Sequence, residues 1–143
     1  MLRIDRIRLY FGDMPCDLEF SYGSVRRFPF CLAEIAAGDH VGVGEGIHAL
    51  PADCEDLARS LIGQDACRLD QLIPPIRFTW QKSIPRELFS MALHDLVARH
   101  AGLPLHVLLG GKRRDRVWVM PCIFPKSPEH AGRTARRFVG QGF

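Results

Sequence analysis

The sequence predicts an α+β fold in which a three-stranded antiparallel sheet is followed by a helical bundle. Apolar and charged residues alternate near the N terminus, which is typical of a strand with one solvent-facing side. Two more strand-like runs follow, and a glycine-containing turn joins them. After these runs the apolar residues recur every three or four positions, which is typical of helices. Strands first and helices afterwards is the α+β order.

Length and composition predict a soluble cytoplasmic protein. The chain has 143 residues, of which 47% are hydrophobic and 24% charged, so one core of ordinary size is expected. Its net charge of +3 is too small to argue for nucleic acid, and the first residues contain neither a secretory signal nor a membrane span. The odd number of cysteines and their scattered spacing predict reduced thiols and no zinc site. These cysteines are Cys16, Cys31, Cys54, Cys67 and Cys122.

The predicted strands come first along the chain. Alternation from Leu2 to Leu9 predicts the first strand, and glycine, proline and aspartate without a period predict a loop over 11–24. The second strand is predicted over Val25–Ile35. A turn at Ala37-Gly38-Asp39 then leads into a third strand over Val41–Glu45.

Two helices are predicted after the sheet. The first runs over Pro51–Leu61, with Asp53 near its N-cap and Gly63 near its end. The second runs over Asp65–Ile73, and Arg77–Lys82 is then predicted to connect it to the next helix.

The clearest element is the helix that follows this connection. Ser83 is the predicted N-cap, Pro85 falls in the first turn, and Gly102 supplies the left-handed residue that ends the helix. A short helical turn over Leu105–Leu109 then stops at the Gly110-Gly111 pair. The apolar stripe of the central helix consists of Leu88, Phe89, Ala92, Leu93, Leu96 and Val97.

The C-terminal residues predict half of a βαβ unit. A charged link precedes an apolar run over Val117–Phe124, which is long enough for one buried strand. Pro128–Val139 follows as a helix with Ser127 as N-cap. Such a strand needs a parallel neighbour that these residues do not contain.

Two segments carry a resemblance to a known family. The run MALHDLVARHAGLPLHVLLGG (91–111) resembles the segment that closes the N-terminal capping domain in the mandelate racemase and muconate lactonizing enzyme group of the enolase superfamily. The group's pattern is A-L-x-D-L-x-(A/G)-(R/K)-x-x-G-x-P-L-x-x-L-L-G-G. In addition, DHVGVGEGI (39–47) resembles the superfamily's D-G-x-x-G-x-G-E strand, with His40 in place of the usual glycine.

The resemblance implies a capping domain over 1–112, with its sheet in 2–45 and its helices in 52–109. Residues 113–143 would then be the first strand and helix of an incomplete (β/α) barrel. The resemblance also implies that the whole protein is a Mg²⁺-dependent isomerase or lyase that removes a proton α to a carboxylate, as a racemase, cycloisomerase or acid-sugar dehydratase. Its substrate would be a small carboxylate, and we expect a homo-oligomer. The family's catalytic lysine and metal-binding carboxylates would lie beyond Phe143, so no catalytic or metal residue is expected in this chain, which alone should be inactive.

In the family, two loops of the capping domain cover the barrel mouth and help to choose the substrate. They map onto Asp13–Ser24 and Gly46–Leu50 of this sequence. Aromatic and histidine side chains suit a pocket for a small carboxylate, because each combines an apolar body with a polar tip. The alternative is that these side chains are simply packed or solvated. The candidate contact residues are Phe20, Ser21, Tyr22, Ile47 and His48.

Histidine and acidic residues on the central helix raise the competing hypothesis of a metal site. However, His94, His100 and His106 do not share a helix face. Asp95 and Arg99 stand at i,i+4 and are expected to form a structural ion pair.

Alternating glycines at 42, 44 and 46 lack the spacing of a dinucleotide-binding loop, so they predict close-packed backbone or turn positions. Glu45 stands at a strand end where a general base could act, but the sequence fixes no second titratable group beside it.

Two non-enzymatic hypotheses remain open at this point. Arg133, Arg136 and Arg137 could form a basic helix face that binds nucleic acid, although Glu129 interrupts it and no interleaved aromatic residues provide stacking. Alternatively, the chain could be a non-catalytic interaction module that ends at Phe143.

Overall fold

The computed structural model describes residues 1–20, 23–47, 51–73, 80–124 and 126–143. The strands form one antiparallel sheet in the order β1-β2-β3, so the α+β prediction is confirmed. The strands are β1 (Arg6–Phe20), β2 (Gly23–Ala37) and β3 (His40–Ile47). The helices are α1 (Pro51–Leu61), α2 (Leu69–Leu72), α3 (Trp80–His100), α4 (Leu105–Leu108) and α5 (Pro128–Gly140). None of the described helices combines the length and apolarity that crossing a bilayer requires.

The chain divides into two compact units. The first contains residues 1–14 and 29–112, and the second contains residues 15–28 and 113–143. The long strands β1 and β2 therefore contribute to both units. The first unit holds the main core, β3 and helices α1 to α4, whereas the second holds the distal parts of β1 and β2 together with α5.

The core of the first unit lies between the sheet and α3. The predicted stripe of α3 is buried except for Val97, which is partly buried, and Leu88, Phe89 and Leu93 are fully inaccessible to solvent. On β2 the alternate residues from Cys31 to Ala37 face the same core, because side chains on a strand alternate between its two sides. The buried core residues are Leu2, Ile4, Cys31, Ala33, Ile35, Ala37, Cys54, Leu61, Ala66, Leu88, Phe89, Ala92, Leu93 and Leu96.

Two glycines of β3 let α3 approach the sheet at backbone distance. A Cβ atom on Gly42 would stand 2.1 Å from the Ala92 carbonyl oxygen, and one on Gly44 would stand 2.1 Å from the Leu88 carbonyl oxygen. Both glycines are buried, whereas the intervening Val43 is 44% exposed. The predicted close-packed glycines are therefore confirmed at these positions, and no larger residue fits there.

The loop predicted over 11–24 is wrong. Residues 11–20 continue β1, and Gly23 and Ser24 already belong to β2. Glycine, proline and aspartate reduce intrinsic strand propensity, but pairing with the neighbouring strand overrides it. The predicted second strand, the turn at Gly38 (φ +57°) and the third strand are confirmed.

The first strand was also placed too early, because β1 begins at Arg6. Leu2 and Ile4 bond instead to residues 63–66: the Ile4 amide donates to the Gln64 carbonyl and the Ala66 amide donates to the Leu2 carbonyl. The same region shortens the second predicted helix, since the Asp65 carboxylate accepts the Leu2 and Cys67 amides and holds residues 65–67 in a turn. Only Leu69–Leu72 is helical.

Helix α3 begins before its predicted N-cap. Ser83 and Pro85 lie within the helix, so both predicted N-terminal roles are wrong. Residues 80–82 were predicted as a connection and are helical instead, while 77–79 lie outside the described residues. Pro85 has no amide hydrogen to donate, so the helix lacks one backbone hydrogen bond there. At the other end Gly102 (φ +66°) stops the helix as predicted, and the Leu103 amide donates back to the Ala98 carbonyl.

The C-terminal helix is confirmed, since α5 runs over Pro128–Gly140 and the Ser127 side chain accepts the His130 amide. The strand predicted over Val117–Phe124 is wrong, because these residues have no regular structure. The backbone N–H and C=O groups of a strand need a neighbouring strand for their hydrogen bonds. No described strand pairs with this run. Its apolar side chains are exposed: Val117 by 70%, Trp118 by 99%, Val119 by 69% and Met120 by 84%.

We predict that Gly44→Ala lowers the free energy of unfolding by ~3 kcal/mol or more, because its methyl group collides with the backbone of α3, which cannot give way as a flexible side chain would. Urea denaturation followed by circular dichroism measures this loss. Val41→Ala is the matched control on the same strand, where a partly exposed side chain shrinks, and it should cost less than ~1 kcal/mol. A Gly44→Ala protein as stable as the Val41→Ala protein would contradict the close approach.

Candidate functional site

The first group of predicted contact residues lies on the distal part of β1 and β2, residues 15–28, which we call the hairpin end. Phe20 is partly buried, and its ring packs edge to face against Phe124 with the centroids 5.1 Å apart. Ser21 and Tyr22 lie outside the described residues. The segment predicted as a loop is thus mostly a β-ribbon, and one of its candidate residues has an aromatic partner in the same unit.

Opposite charges join the hairpin end to Lys126, two residues before α5. Asp17 pairs with Lys126 and with Arg26. The hydrogen bond from Lys126 is the main cause that holds the pKa of Asp17 below its ordinary value of 3.8, with charge attraction from Lys126 and Arg26 adding to it. No local sequence pattern predicts this network, because Asp17 and Lys126 are 109 positions apart. All three side chains are about half exposed.

The second group of predicted contact residues lies at the end of β3. Ile47 is 46% exposed and stands opposite Phe30 in the register of the sheet. Gly46 and Ile47 belong to β3, so the loop predicted to start at Gly46 begins later than expected. His48 and the two residues after it lie outside the described residues. Phe20 and Ile47 belong to different units.

Two titratable residues on α3, His94 and Asp95, make structural hydrogen bonds. The Asp95 carboxylate accepts a hydrogen bond from the Val43 amide (3.0 Å) and another from Arg99 Nε (2.9 Å), so the predicted ion pair is confirmed and gains a second role. The neighbouring His94 places Nδ1 2.7 Å from the Ser90 carbonyl oxygen. These bonds tie both side chains to the fold.

A cavity of about 470 Å³ opens beside these two residues. Its lining is mainly apolar and comprises Val43, Ser90, Met91, His94, Asp95, Leu105 and Leu109. The Asp95 carboxylate is already engaged by two donors, so this cavity offers shape and apolar contact more than acid–base chemistry.

The buried cysteines are unsuited to nucleophilic catalysis. Cys31 and Cys54 are fully buried within the first unit. Burial, with the neighbouring Cys31 thiol adding to it, raises the pKa of Cys54 to about 12, so its reactive thiolate is scarce at neutral pH. All five thiols are free.

The described residues give little support to the hypotheses of a metal site and of a nucleic-acid-binding face. Within them, no group of three or more histidine, cysteine or acidic residues is placed to hold a metal ion. Arg133, Arg136 and Arg137 are exposed on α5. The Arg137 guanidinium stands 5.1 Å from the centroid of the Phe138 ring. It therefore covers one face of that ring from within the same helix.

The deciding observation is a match to a family model. Residues 11–110 match the N-terminal domain of mandelate racemase and muconate lactonizing enzyme. This chain belongs to the mandelate racemase/muconate lactonizing enzyme family. The matched range includes β2, β3, α3 and all of β1 from residue 11 onwards, so the architecture and the family assignment rest largely on the same residues.

Curated relatives of this family member carry out different reactions. A chloromuconate cycloisomerase from Pseudomonas putida is 30% identical over 126 residues, which cover 77% of this chain and 34% of that protein. A D-Ala-D/L-Ala epimerase from Cytophaga hutchinsonii is 34% identical over 124 residues, which cover 75% of this chain and 32% of that protein. The chain therefore spans about a third of the length of these relatives.

A solved structure supports the same assignment. A protein titled as a mandelate racemase/muconate lactonizing enzyme from Roseovarius nubinhibens, in complex with magnesium, matches with a TM-score of 0.85 at 26% identity. The match covers 99% of this family member and 43% of that chain. The likeness therefore includes residues beyond the matched domain, up to the C-terminal part.

We predict that Asp95→Ala lowers the free energy of unfolding by about 1–3 kcal/mol, because the Val43 amide loses its acceptor at the edge of the sheet. Arg99→Ala is the matched control, since it removes the exposed ion pair but leaves the bond to Val43, and it should cost less than ~1 kcal/mol. Thermal or urea denaturation compares the two proteins. Equal losses would show that the bond to Val43 contributes nothing.

We predict that Lys126→Met raises the pKa of Asp17 toward 3.8, because its largest stabilising partner is removed. Since the folded-state pKa is lowered, the contribution of Asp17 to stability is present above its ordinary pKa and is lost as the pH falls through the lowered value. Carboxyl-carbon NMR titration measures the midpoint directly. Lys112→Met is the control, and a titration of Asp17 that is the same in both variants would disprove the Lys126 contact.

Proposed function

We propose that this chain is the capping, substrate-selecting portion of an enzyme that removes a proton α to a carboxylate with the help of Mg²⁺. The observation that carries the proposal is the match of residues 11–110 to the family's N-terminal domain. We assign residues 1–112 to the capping domain and 113–143 to the first strand and helix of a (β/α) barrel. In this proposal residues 117–124 become a strand only when a parallel neighbour is present, which accounts for their exposed apolar side chains.

The residues described here do not fit a Mg²⁺ site. Mg²⁺ requires several oxygen ligands in octahedral geometry, and no suitable group of carboxylates stands together in the described parts of the chain. We therefore assign the metal ligands, the base and the acid to polypeptide other than residues 1–143. When bound there, Mg²⁺ would stabilise the negative charge that develops on the substrate carboxylate.

We assign to this chain the role of covering the substrate and excluding water. We propose that the hairpin end contributes Phe20, Ser21 and Tyr22 to the cover, and that the end of β3 contributes Ile47 and His48. Exclusion of water strengthens every charge interaction inside a site, and a cover that contacts the substrate also selects its shape. The exposure of Ile47, an apolar residue at a strand end, supports a role in contact with another molecule.

The charges around Asp17 give the hairpin end a defined position within its unit. Lys126 and Arg26 approach the same carboxylate, while Phe20 rests on Phe124. Exposed ion pairs contribute little free energy each, so such an attachment can break and form again during turnover. This balance suits a cover that opens to admit substrate and release product.

The substrate proposal extends only to a class. The curated relatives are named for a chloromuconate and for a dipeptide, both small molecules, and we propose a small carboxylate for this protein as well. Racemisation, cycloisomerisation and dehydration all fit the shared step of proton removal. We further propose a cytoplasmic homo-oligomer, in keeping with the free thiols. No structural observation favours the nucleic-acid or interaction-module hypothesis over this assignment.

The isolated chain should be inactive. We predict that residues 1–143 with Mg²⁺ in D₂O do not exchange the α-proton of any member of a panel of dipeptides, acid sugars and muconates, as followed by proton NMR. The matched control is the same chain produced together with the (β/α) barrel of another family member. That barrel is cut to begin at the position that corresponds to residue 113 of this chain. Measurable turnover by the isolated 143 residues would show that the assignment of the chemistry to other polypeptide is wrong.

A further inference from the structure

Two histidines from different elements meet at one open cleft of the first unit. His40 begins β3 and His100 ends α3, and their ring centroids are 5.1 Å apart with the planes at 77°. The cleft has a volume of about 300 Å³ and is also lined by Arg3, Asp5 and Asp39. Helical spacing does not predict this pair, because His40 lies on a strand and His100 on a helix.

The spacing of the two rings fits two imidazoles bound to one metal ion. A zinc–nitrogen bond measures about 2.0–2.1 Å, and the centre of an imidazole ring lies about 1.1 Å beyond its nitrogen. Two imidazoles at the tetrahedral angle therefore have centroids roughly 5 Å apart. The rings of His40 and His100 already stand at this separation.

The backbones that carry the two histidines are fixed relative to each other. His40 pairs with Ala37 in the sheet, and α3 lies directly on Gly42 and Gly44 of the same strand. This contact sets the distance from the start of β3 to the end of α3. A site held in place in this way loses little freedom when a ligand binds.

The charges around the pair favour a cation. His100 lies in the last turn of α3, where the exposed carbonyl groups of a helix attract positive charge. Asp5 and Asp39 bring negative charge to the cleft, although the Asp5 carboxylate already accepts the Gly38 amide at 2.6 Å. Arg3 opposes them, so the attraction is moderate.

We propose that His40 and His100 form a binding site for a divalent transition-metal ion such as Zn²⁺, with water completing the coordination. Imidazole nitrogen suits Zn²⁺, Ni²⁺ and Cu²⁺, whereas Mg²⁺ prefers oxygen ligands. The described residues place no third histidine, cysteine or carboxylate together with the two rings. The site is independent of the proposed enzymatic function and does not use the Mg²⁺ that the function requires.

Calorimetric titration with ZnCl₂ tests the site. The titrated protein should be a Cys67→Ser, Cys122→Ser variant, because these two exposed thiols would also bind zinc. One Zn²⁺ per chain is expected. The affinity for Zn²⁺ should fall at least tenfold in the His40→Gln variant and at least tenfold in the His100→Gln variant. His106 is an exposed histidine on α4, so the His106→Gln variant should bind as the parent does. A large excess of MgCl₂ should not compete.

NMR of the histidine rings provides a second measurement that does not depend on affinity. Zinc should shift the signals of both His40 and His100 and leave those of His106 and His130 in place. Circular dichroism checks that each variant remains folded. Zinc binding that persists in the His40→Gln, His100→Gln double variant, or the absence of binding to the parent, would overturn the proposal.

Discussion

The fold depends on one contact, in which the backbone of α3 rests on the backbone of β3. Gly42 and Gly44 leave no side chain between them, so the carbonyl oxygens of Ala92 and Leu88 come within 2.1 Å of where a Cβ would stand. Most helices pack on sheets through interlocking side chains, which allow some sliding. Here the two elements are too close to slide, and the apolar stripe of α3 then closes over the core side of β2. The positions of Ile47 at one end of β3 and of His40 at the other follow from this contact.

The parts of the chain assigned to the substrate are held by different forces. The hairpin end relies on half-exposed charges around Asp17 and on one ring contact, whereas the frame relies on complete burial. Surface ion pairs are screened by salt and worth little, while buried apolar contacts are lost only on unfolding. The two units are therefore held together internally by different kinds of contact.

The sequence predicted the elements whose signal is local. The apolar stripe of α3, the glycine stop at Gly102 and the Ser127 cap depend on residues within one or two turns, and all are confirmed. The failures arose where distant residues decide. Residues 11–20 form a strand because of pairing across the hairpin, and Val117–Phe124 forms none because no described strand pairs with it. Of the predicted site residues, Phe20 and Ile47 lie at the ends of strands, but the pairing of Asp17 with Lys126 and of His40 with His100 is a matter of tertiary structure alone.

The hydrogen bond from Val43 to Asp95 has a consequence for the behaviour of the protein in a crowded solution. In the order β1-β2-β3 the last strand is an edge, and an edge strand offers free amide groups to any other extended chain. Asp95 occupies one of these amides and sets a negative charge beside it. A second chain approaching this edge would have to displace the carboxylate and bury its charge. The same side chain that ties helix to sheet therefore also obstructs strand pairing at this position of the edge.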